Sequence, residues 1–390
     1  MLAAFRRVLF WCHLVAGVTA GVVILIMSVT GVALTYQKEM QLWADTRTYR
    51  VEPPPAASRA AVADLVASAR AVDPALVPAT ITWQADPAFP VALTAGQKTI
   101  YVNPYTCDVL GEGTGQSMRA FFTSMTSWHR YLAMTGDKRD TGRAFTGASN
   151  LVFLFIVLSG MYLWWPKVWN AIQFRNITWF RRGLTAKARD FNWHNTFGFW
   201  FALPLVLVVA SGIVISYPWA SDLVYRSVGE QPPPPAAGRA GGPGARAGGA
   251  VTSAAAPARI DVSSAALEPA VGAAREYTAS WRSIALRAPA SSAAPLVFTI
   301  DGGDAGQPHL RGTLTIDPST GAVQKWEDFS SQTPGRQLRT FLRFAHTGEI
   351  GGAIGQTIAG LASLAGAVLV YTGLALSLRR FAAWRVRRTR

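Results

Sequence analysis

Long uncharged runs dominate the chain. Leu14 to Tyr36, Ala144 to Trp165, Phe191 to Ser221 and Ile350 to Leu378 contain no Asp, Glu, Lys or Arg, and about 20 such residues suffice to span a bilayer as a helix. The pattern predicts four transmembrane helices. Pro204 lies inside the third, where neighbouring helices can satisfy the carbonyl that a proline frees. Between helices 1 and 2, and again between 3 and 4, the pattern changes. An amphipathic helix over Arg59 to Val72 precedes alternating strands near Ala79–Trp83, Val91–Thr94 and Thr99–Asn103. A helix over Ser263 to Tyr277 precedes strands near Ser283–Leu286, Leu296–Ile300 and Leu310–Asp317. Both segments end in [Asn/Asp]-Pro-x-Thr-x-x-Val, at Asn103 to Val109 and Asp317 to Val323.

These signals predict a membrane α-helical protein in two tandem halves, each carrying an exported α+β domain. Residues 1–37 hold helix 1, 38–128 the first exported domain, and 129–166 a histidine segment with helix 2. A basic loop follows over 167–190, then helix 3 over 191–218. Residues 219–345 form the second exported domain, with a Pro/Gly tether over 231–257 expected to be disordered; helix 4 covers 346–378 and a basic tail 379–390.

Composition agrees: 50% of the 390 residues are hydrophobic and 15% charged, too few charges for an ordinary soluble chain. The net charge of +15 raises the possibility of a nucleic-acid partner, but its distribution argues against one. Arg6 and Arg7, the run from Lys167 to Arg189, and Arg379 to Arg390 flank the apolar spans on one side. By the positive-inside rule these segments are cytoplasmic, with both termini inside and the large domains periplasmic. Anionic lipid head groups are the expected partners of such a fringe. The first apolar run is too long for a signal peptide and lacks a small-x-small cleavage site, so an uncleaved helix is expected. Cys12 and Cys107 fall on opposite sides and imply no disulfide. No CxxCH is present, which excludes covalent c-type haem attachment.

The helix ends repeat. Thr30-Gly31, Ser159-Gly160, Ser211-Gly212 and Thr372-Gly373 each open the same pattern of hydroxyl, glycine, two residues and an aliphatic. Small residues there allow close helix approach in lipid. His13 and His194 each stand eighteen positions before the signature glycine of their own helix and four before Gly17 and Gly198. His129 and His346 precede Thr-Gly-acid and then Gly142-Arg143 and Gly355-Gln356; their distances to the signature, 31 and 27, differ by one four-residue insertion. The halves therefore read as a duplication in the same orientation, related by an axis along the membrane normal.

Four of the five histidines occupy equivalent places. Topology puts His13 and His194 at one face and His129 and His346 at the other, and eighteen helical residues rise about 27 Å, so only these two pairings can share a metal. Two imidazoles without nearby thiolates or carboxylates suit the axial positions of a six-coordinate haem better than zinc. The expectation is two haem b groups with bis-His ligation. Gly17, Gly198 and the signature glycines make room for a porphyrin face. Arg130, Arg143, Arg339 and Arg343 at the outer pair, and Arg7 and Arg189 at the inner one, are candidates to hold propionates. Each histidine has a bland alternative as an interfacial cap, and each arginine as an interfacial anchor. His309 fits no pair and reads as a surface histidine, with a substrate or iron contact as the alternative. Trp164 and Trp165 read as interfacial belt residues, while Trp128 and Trp193, which adjoin histidines, read either as belt residues or as packing on haem. No P-loop, dinucleotide fingerprint or nucleophile motif is present.

The segments WHRYL at Trp128 to Leu132, SGMYLWWP at Ser159 to Pro166, NWHNTFGFW at Asn192 to Trp200 and FAHTGEIGG at Phe344 to Gly352 resemble the PepSY-associated transmembrane helix family. The resemblance covers nearly the whole chain except the tether. Some members are iron-regulated inner-membrane proteins, and a ferrioxamine reductase among them is a di-haem enzyme. The resemblance implies PepSY-like exported domains and a b-type cytochrome of the bacterial inner membrane. Electrons from an unidentified donor would pass to a periplasmic ferric siderophore or other ferric chelate, with release of Fe(II). The alternatives are a non-redox membrane protein whose PepSY domains bind peptides or inhibit a peptidase, and an iron permease.

Overall fold

The computed structural model describes residues 2–388 apart from 48, 56–57, 97, 114, 166–169, 235–259, 261–265, 290, 292–293 and 304–305. Most of the expected tether, and Lys167, lie outside the described residues. In chain order the helices are α1 (Leu2–Leu34), α2 (Gln37–Thr46), α3 (Val62–Val72), α4 (Gln116–Tyr131), α5 (Arg139–Trp164) and α6 (Ala171–Thr178). They continue with α7 (Ala186–Ser216), α8 (Pro218–Ser227), α9 (Leu267–Glu276), α10 (Pro334–Thr347) and α11 (Gly352–Arg388). The strands are β1 (Thr80–Gln84), β2 (Val91–Ala95), β3 (Lys98–Val102), β4 (Val109–Glu112), β5 (Ser283–Arg287), β6 (Leu296–Asp301), β7 (Arg311–Ile316) and β8 (Val323–Asp328).

The chain forms two compact units. One comprises Met1–Gln37, Phe121–Ala245 and Leu338–Arg390; the other Lys38–Ala120 and Arg246–Gln337. In the first, among the described residues, the helices long and apolar enough to cross a membrane are the four that the sequence predicts, and they correspond to α1, α5, α7 and α11. α1 packs against α5 and α11, and α7 packs against the same two, so α1 and α7 stand at opposite corners of a four-helix square. Its middle is apolar: Ile24, Phe153, Leu205 and Ala362 are buried there. α7 runs unbroken through Pro204 and ends at Ser216, where Pro218 starts α8 at the position in which a proline costs no hydrogen bond.

α4 and α10 each end at a histidine-bearing turn before a long helix begins. Leu132 and Ala133 take positive φ to reverse the chain after α4, and Gly348 does so after α10. The long helices then pass hard against those ends. A Cβ on Gly142 would meet the Tyr131 carbonyl oxygen at 2.1 Å, and one on Gly355 the Gly348 carbonyl oxygen at 2.2 Å. Only glycine fits either place, which accounts for the Gly-Arg and Gly-Gln positions of the two halves.

In the second unit the eight strands form one antiparallel sheet in the order β4-β3-β2-β1-β5-β6-β7-β8. The sequence divides these residues between two domains. The structure joins them: β1 pairs with β5 from Thr80↔Arg287 to Gln84↔Ser283, so each four-stranded half covers an edge that the other would leave bare. Edge pairing uses backbone groups and leaves no mark on side-chain pattern. β4 and β8, beyond the expected strands, follow the repeated Asn/Asp-Pro turn. There the Asn103 side chain accepts from the backbone N–H of Tyr105 and Thr106, and Asp317 from that of Ser319 and Thr320. Hydrogen bonds from Ser319 and Thr320 hold the Asp317 carboxyl down at about 2. The core is one-sided: Leu65, Val66, Leu267 and Val271 of α3 and α9 lie with Ile81, Leu93, Leu286, Phe298 and Leu314 of the strands. Each such side chain contributes roughly 1.5–3 kcal/mol.

A buried carboxylate fixes the start of α4. Asp45 is 7% exposed, pairs with Arg119 and accepts from the Gly115 backbone N–H at 3.0 Å. Burial and the Asp45 charge push the Tyr101 phenol beside it up. Asp45→Ala is expected to cost about 2–4 kcal/mol, because it strands the guanidinium and an N–H away from water. Thermal unfolding of the detergent-solubilised chain reads the loss; an unchanged midpoint would contradict it.

Candidate histidine sites

The structure brings the four sequence-predicted histidines together in the expected pairs. The rings of His13 on α1 and His194 on α7 have centroids 6.5 Å apart, and those of His129 at the end of α4 and His346 at the end of α10 lie 6.4 Å apart. The first pair crosses the square between the opposite corners α1 and α7; the second comes from α4 and α10 and rests against those same two helices. They lie at opposite ends of the bundle, because His13 and Thr30, which touches His129, are separated by seventeen residues of one helix, about 25 Å.

Each ring is held in the same way by an adjacent helix. His13 Nδ1 meets Ser159 Oγ at 2.9 Å, His194 Nδ1 meets Thr372 Oγ1 at 2.9 Å, and His129 Nδ1 meets Thr30 Oγ1 at 3.0 Å. His346 Nδ1 meets Ser211 Oγ at 3.3 Å and the Val208 carbonyl at 2.8 Å. These four hydroxyls are the repeated signature. Each donates its own proton back along its helix, Ser159 to Ile156, Thr30 to Ile26, Ser211 to Leu207 and Thr372 to Val368. With that proton committed, the oxygen can only accept. The carbonyl one turn earlier, of Ile156, Met27, Leu369 or Val208, also bonds the ring. Nδ1 of each of these four histidines therefore carries the proton and donates it, which leaves Nε2 as a bare lone pair, the state a metal ligand needs.

The signature glycine completes the cradle. A Cβ on Gly160 or Gly373 would stand 3.4 Å from Cε1 of His13 or His194, one on Gly31 3.6 Å from Cε1 of His129, and one on Gly212 3.1 Å from Cε1 of His346. The sequence reads this glycine as a helix-packing device. The structure makes it, with the hydroxyl before it, the seat of a neighbour's imidazole. Four histidines and four such dipeptides were the available signal.

What the pairs can bind follows from spacing and ligand count. Metal–imidazole bonds of about 2 Å on each side, plus about 1 Å from nitrogen to ring centre, put trans ligands near 6 Å between centroids. Both observed separations match. Among the described residues no group of three or more His, Cys, Asp or Glu gathers to hold a bare ion. Each pair offers two imidazole nitrogens, a donor set that would suit a group bringing further ligands of its own, as a porphyrin does.

The arginines divide. Arg130, Arg139 and Arg143 surround Tyr131, with guanidinium carbons 5.3, 4.2 and 5.8 Å from its ring centre. Burial, and then the charges of Arg143, Arg343 and Arg139, push Arg130 down, with the Tyr131 phenol opposing. Arg130 and Arg343 also bear on His346. Arg143 also pairs with Asp140 at 3.6 Å, and the positive charge that remains on Arg130, Arg143 and Arg343 suits an anionic group at the His129–His346 pair. Arg339 instead bonds Ser221 Oγ at 2.7 Å. At the other end Arg7 is exposed, and it is Arg6 that reaches the carbonyls of Leu163 and Trp165 to cap α5. Arg189 is engaged by Asp190, whose buried carboxylate also takes Arg379. His309 is exposed in the sheet unit. Trp193 contacts Phe180 and Phe197, while Trp164 packs on Trp165 and Phe199. Trp128 is exposed.

No curated protein matches the chain at a significant level. A family model for the PepSY-associated TM region matches residues 10–388, both histidine pairs and the whole sheet unit included. The chain belongs to the PepSY-associated transmembrane family.

Proposed function

We propose that the chain is a di-haem b-type cytochrome that carries electrons across a membrane and reduces a ferric chelate, such as a ferric siderophore, at the far side. The observation that carries this reading is the shared state of the four histidines: Nδ1–H donated to a signature hydroxyl or carbonyl, Nε2 bare, and the paired rings at ligand spacing. His13 and His194 would hold one haem, and His129 and His346 the other. Bound haem supplies one-electron transfer. The protein's part is to fix ligand tautomer and ring angle through Ser159, Thr372, Thr30 and Ser211, and to exclude water with the apolar layer between the sites. Arg130, Arg143 and Arg343 would neutralise propionates or an anionic acceptor at the outer end.

The arginines support an orientation. Arg6 reaches the C-terminal end of α5 and Arg379 of α11 reaches Asp190 at the start of α7, so the three basic segments gather at the His13–His194 end. That end faces the cytoplasm of a bacterial inner membrane under the positive-inside rule, and the sheet unit is periplasmic. Electrons enter between His13 and His194 and leave between His129 and His346. Oxygen-ligand chelators hold hard Fe(III) far better than Fe(II), so reduction frees the substrate metal. The two halves, with equivalent hydroxyl–histidine contacts in each, fit a duplicated ancestor.

The visible spectrum of protein purified in detergent after expression with ample haem tests the reading. The expected result is a Soret band, b-type α-bands on reduction, and two haems per chain by pyridine haemochrome assay. Haem-free folded protein would overturn it.

A further inference from the structure

The turn before α7 and the first turns of α7 enclose a groove of about 540 Å³ at the His13–His194 end. Its walls are aromatic. Phe180, Trp193 and Phe197 touch one another, with centroids 5.2 to 6.5 Å apart. Arg181, Arg182 and Arg189 also line it. Between Trp165 and His194 the chain has six basic residues and one acid, Asp190. The Asp190 carboxylate is already shared by Arg189 and by Arg379, so the positive charge at the groove is uncompensated.

The surroundings select the ligand. Ile172 and Phe174 on α6, Trp179 and Phe180 after it, and Phe191 and Trp200 on α7 are all exposed. Such faces on a unit with four apolar spans meet hydrocarbon or the bilayer interface, so the groove opens onto lipid. An occupant there must be amphiphilic, with an anionic head for the guanidinium groups and an apolar body for the rings.

We propose that this groove is a site for an anionic phospholipid, its phosphoryl group held by Arg181 and Arg182 and its glycerol and upper acyl region lying over Phe180, Trp193 and Phe197. The lipid ties the α6–α7 turn to α7 beside His194. This inference does not depend on haem.

Native mass spectrometry of the full chain in detergent tests it, with phosphatidylglycerol or phosphatidylcholine of the same acyl chains added. Wild-type protein is expected to retain phosphatidylglycerol preferentially. R181Q/R182Q should weaken that retention at least tenfold, while R181K/R182K and the tail control R385Q/R387Q keep most of it. The lysine variant guards against misfolding, since it preserves charge with the same two positions changed. Equal retention of both lipids, or retention by R181Q/R182Q equal to wild type, would overturn the proposal. So would displacement of the lipid by a soluble aromatic phosphate such as flavin mononucleotide, because the site would then belong to a water-borne nucleotide.

Discussion

His346→Ala is expected to lower haem from two per chain to one and to bring reduction of an external ferric chelate to background, while the α-band of the other haem persists. The pair His129–His346 has no third protein ligand among the described residues, so removal of one imidazole leaves a single axial bond. The Val208 carbonyl and the Ser211 hydroxyl lose their donor in the same change. His13 and His194 lie about 25 Å along the bundle and are seated by Ser159 and Thr372, which the substitution does not touch. Haemochrome assay gives the stoichiometry, and stopped-flow oxidation of dithionite-reduced protein by ferric chelate gives the rate. Retention of both haems would sink the ligand assignment. Ser211→Ala is a milder companion, since Val208 still accepts from Nδ1; loss of one second-layer contact to a metal ligand costs on the order of 10-fold in affinity.

The four spanning helices and both histidine pairings were legible in the sequence because each rests on a one-dimensional signal. Uncharged length marks the spans, and residue count along a helix fixes which histidines share a face. Spatial partners were not legible. Nothing in the spacing of Ser159-Gly160 says that its hydroxyl meets His13, because the contact joins residues 146 apart in sequence on two different helices. Gly17, read from the sequence as making room for a porphyrin face, borders open space, where an added Cβ would meet nothing within 4 Å. The single sheet was hidden for a similar reason: β1 and β5 are separated by the entire second and third spans and join through backbone hydrogen bonds. Arg7 and Arg339 were credited with site roles because they lie near the histidines in sequence, whereas Arg6 and Ser221 show where such side chains find partners in space. Asp45 and Asp190 gave no signal at all, since an isolated carboxylate reads the same in sequence whether it is buried or exposed.

Gly212→Ala should weaken haem retention at the proposed His129–His346 site, although it touches no ligand atom directly. Its Cβ would fall 2.9 Å from Asn150 Nδ2 and 3.1 Å from His346 Cε1. Asn150 is buried and donates to the Val209 carbonyl at 3.1 Å, so it has little freedom to retreat. The ring of His346 must therefore move, and with it the bare Nε2. Overpacking of this kind costs about 1–3 kcal/mol, or roughly 5- to 150-fold in haem retention. The corresponding change at Gly160 or Gly373 makes a 3.4 Å contact with its histidine and should be nearly silent. At Gly17, with nothing within 4 Å, the fold itself should tolerate alanine. Of the three signature-glycine variants, only Gly212→Ala is expected to lower haem occupancy. Adding Asn150→Ala to Gly212→Ala removes the tighter of the two contacts and should restore part of the occupancy, which a general destabilisation of the bundle would not allow. Equal occupancy across these three single variants would mean that the signature glycine packs helices and does not seat the imidazole.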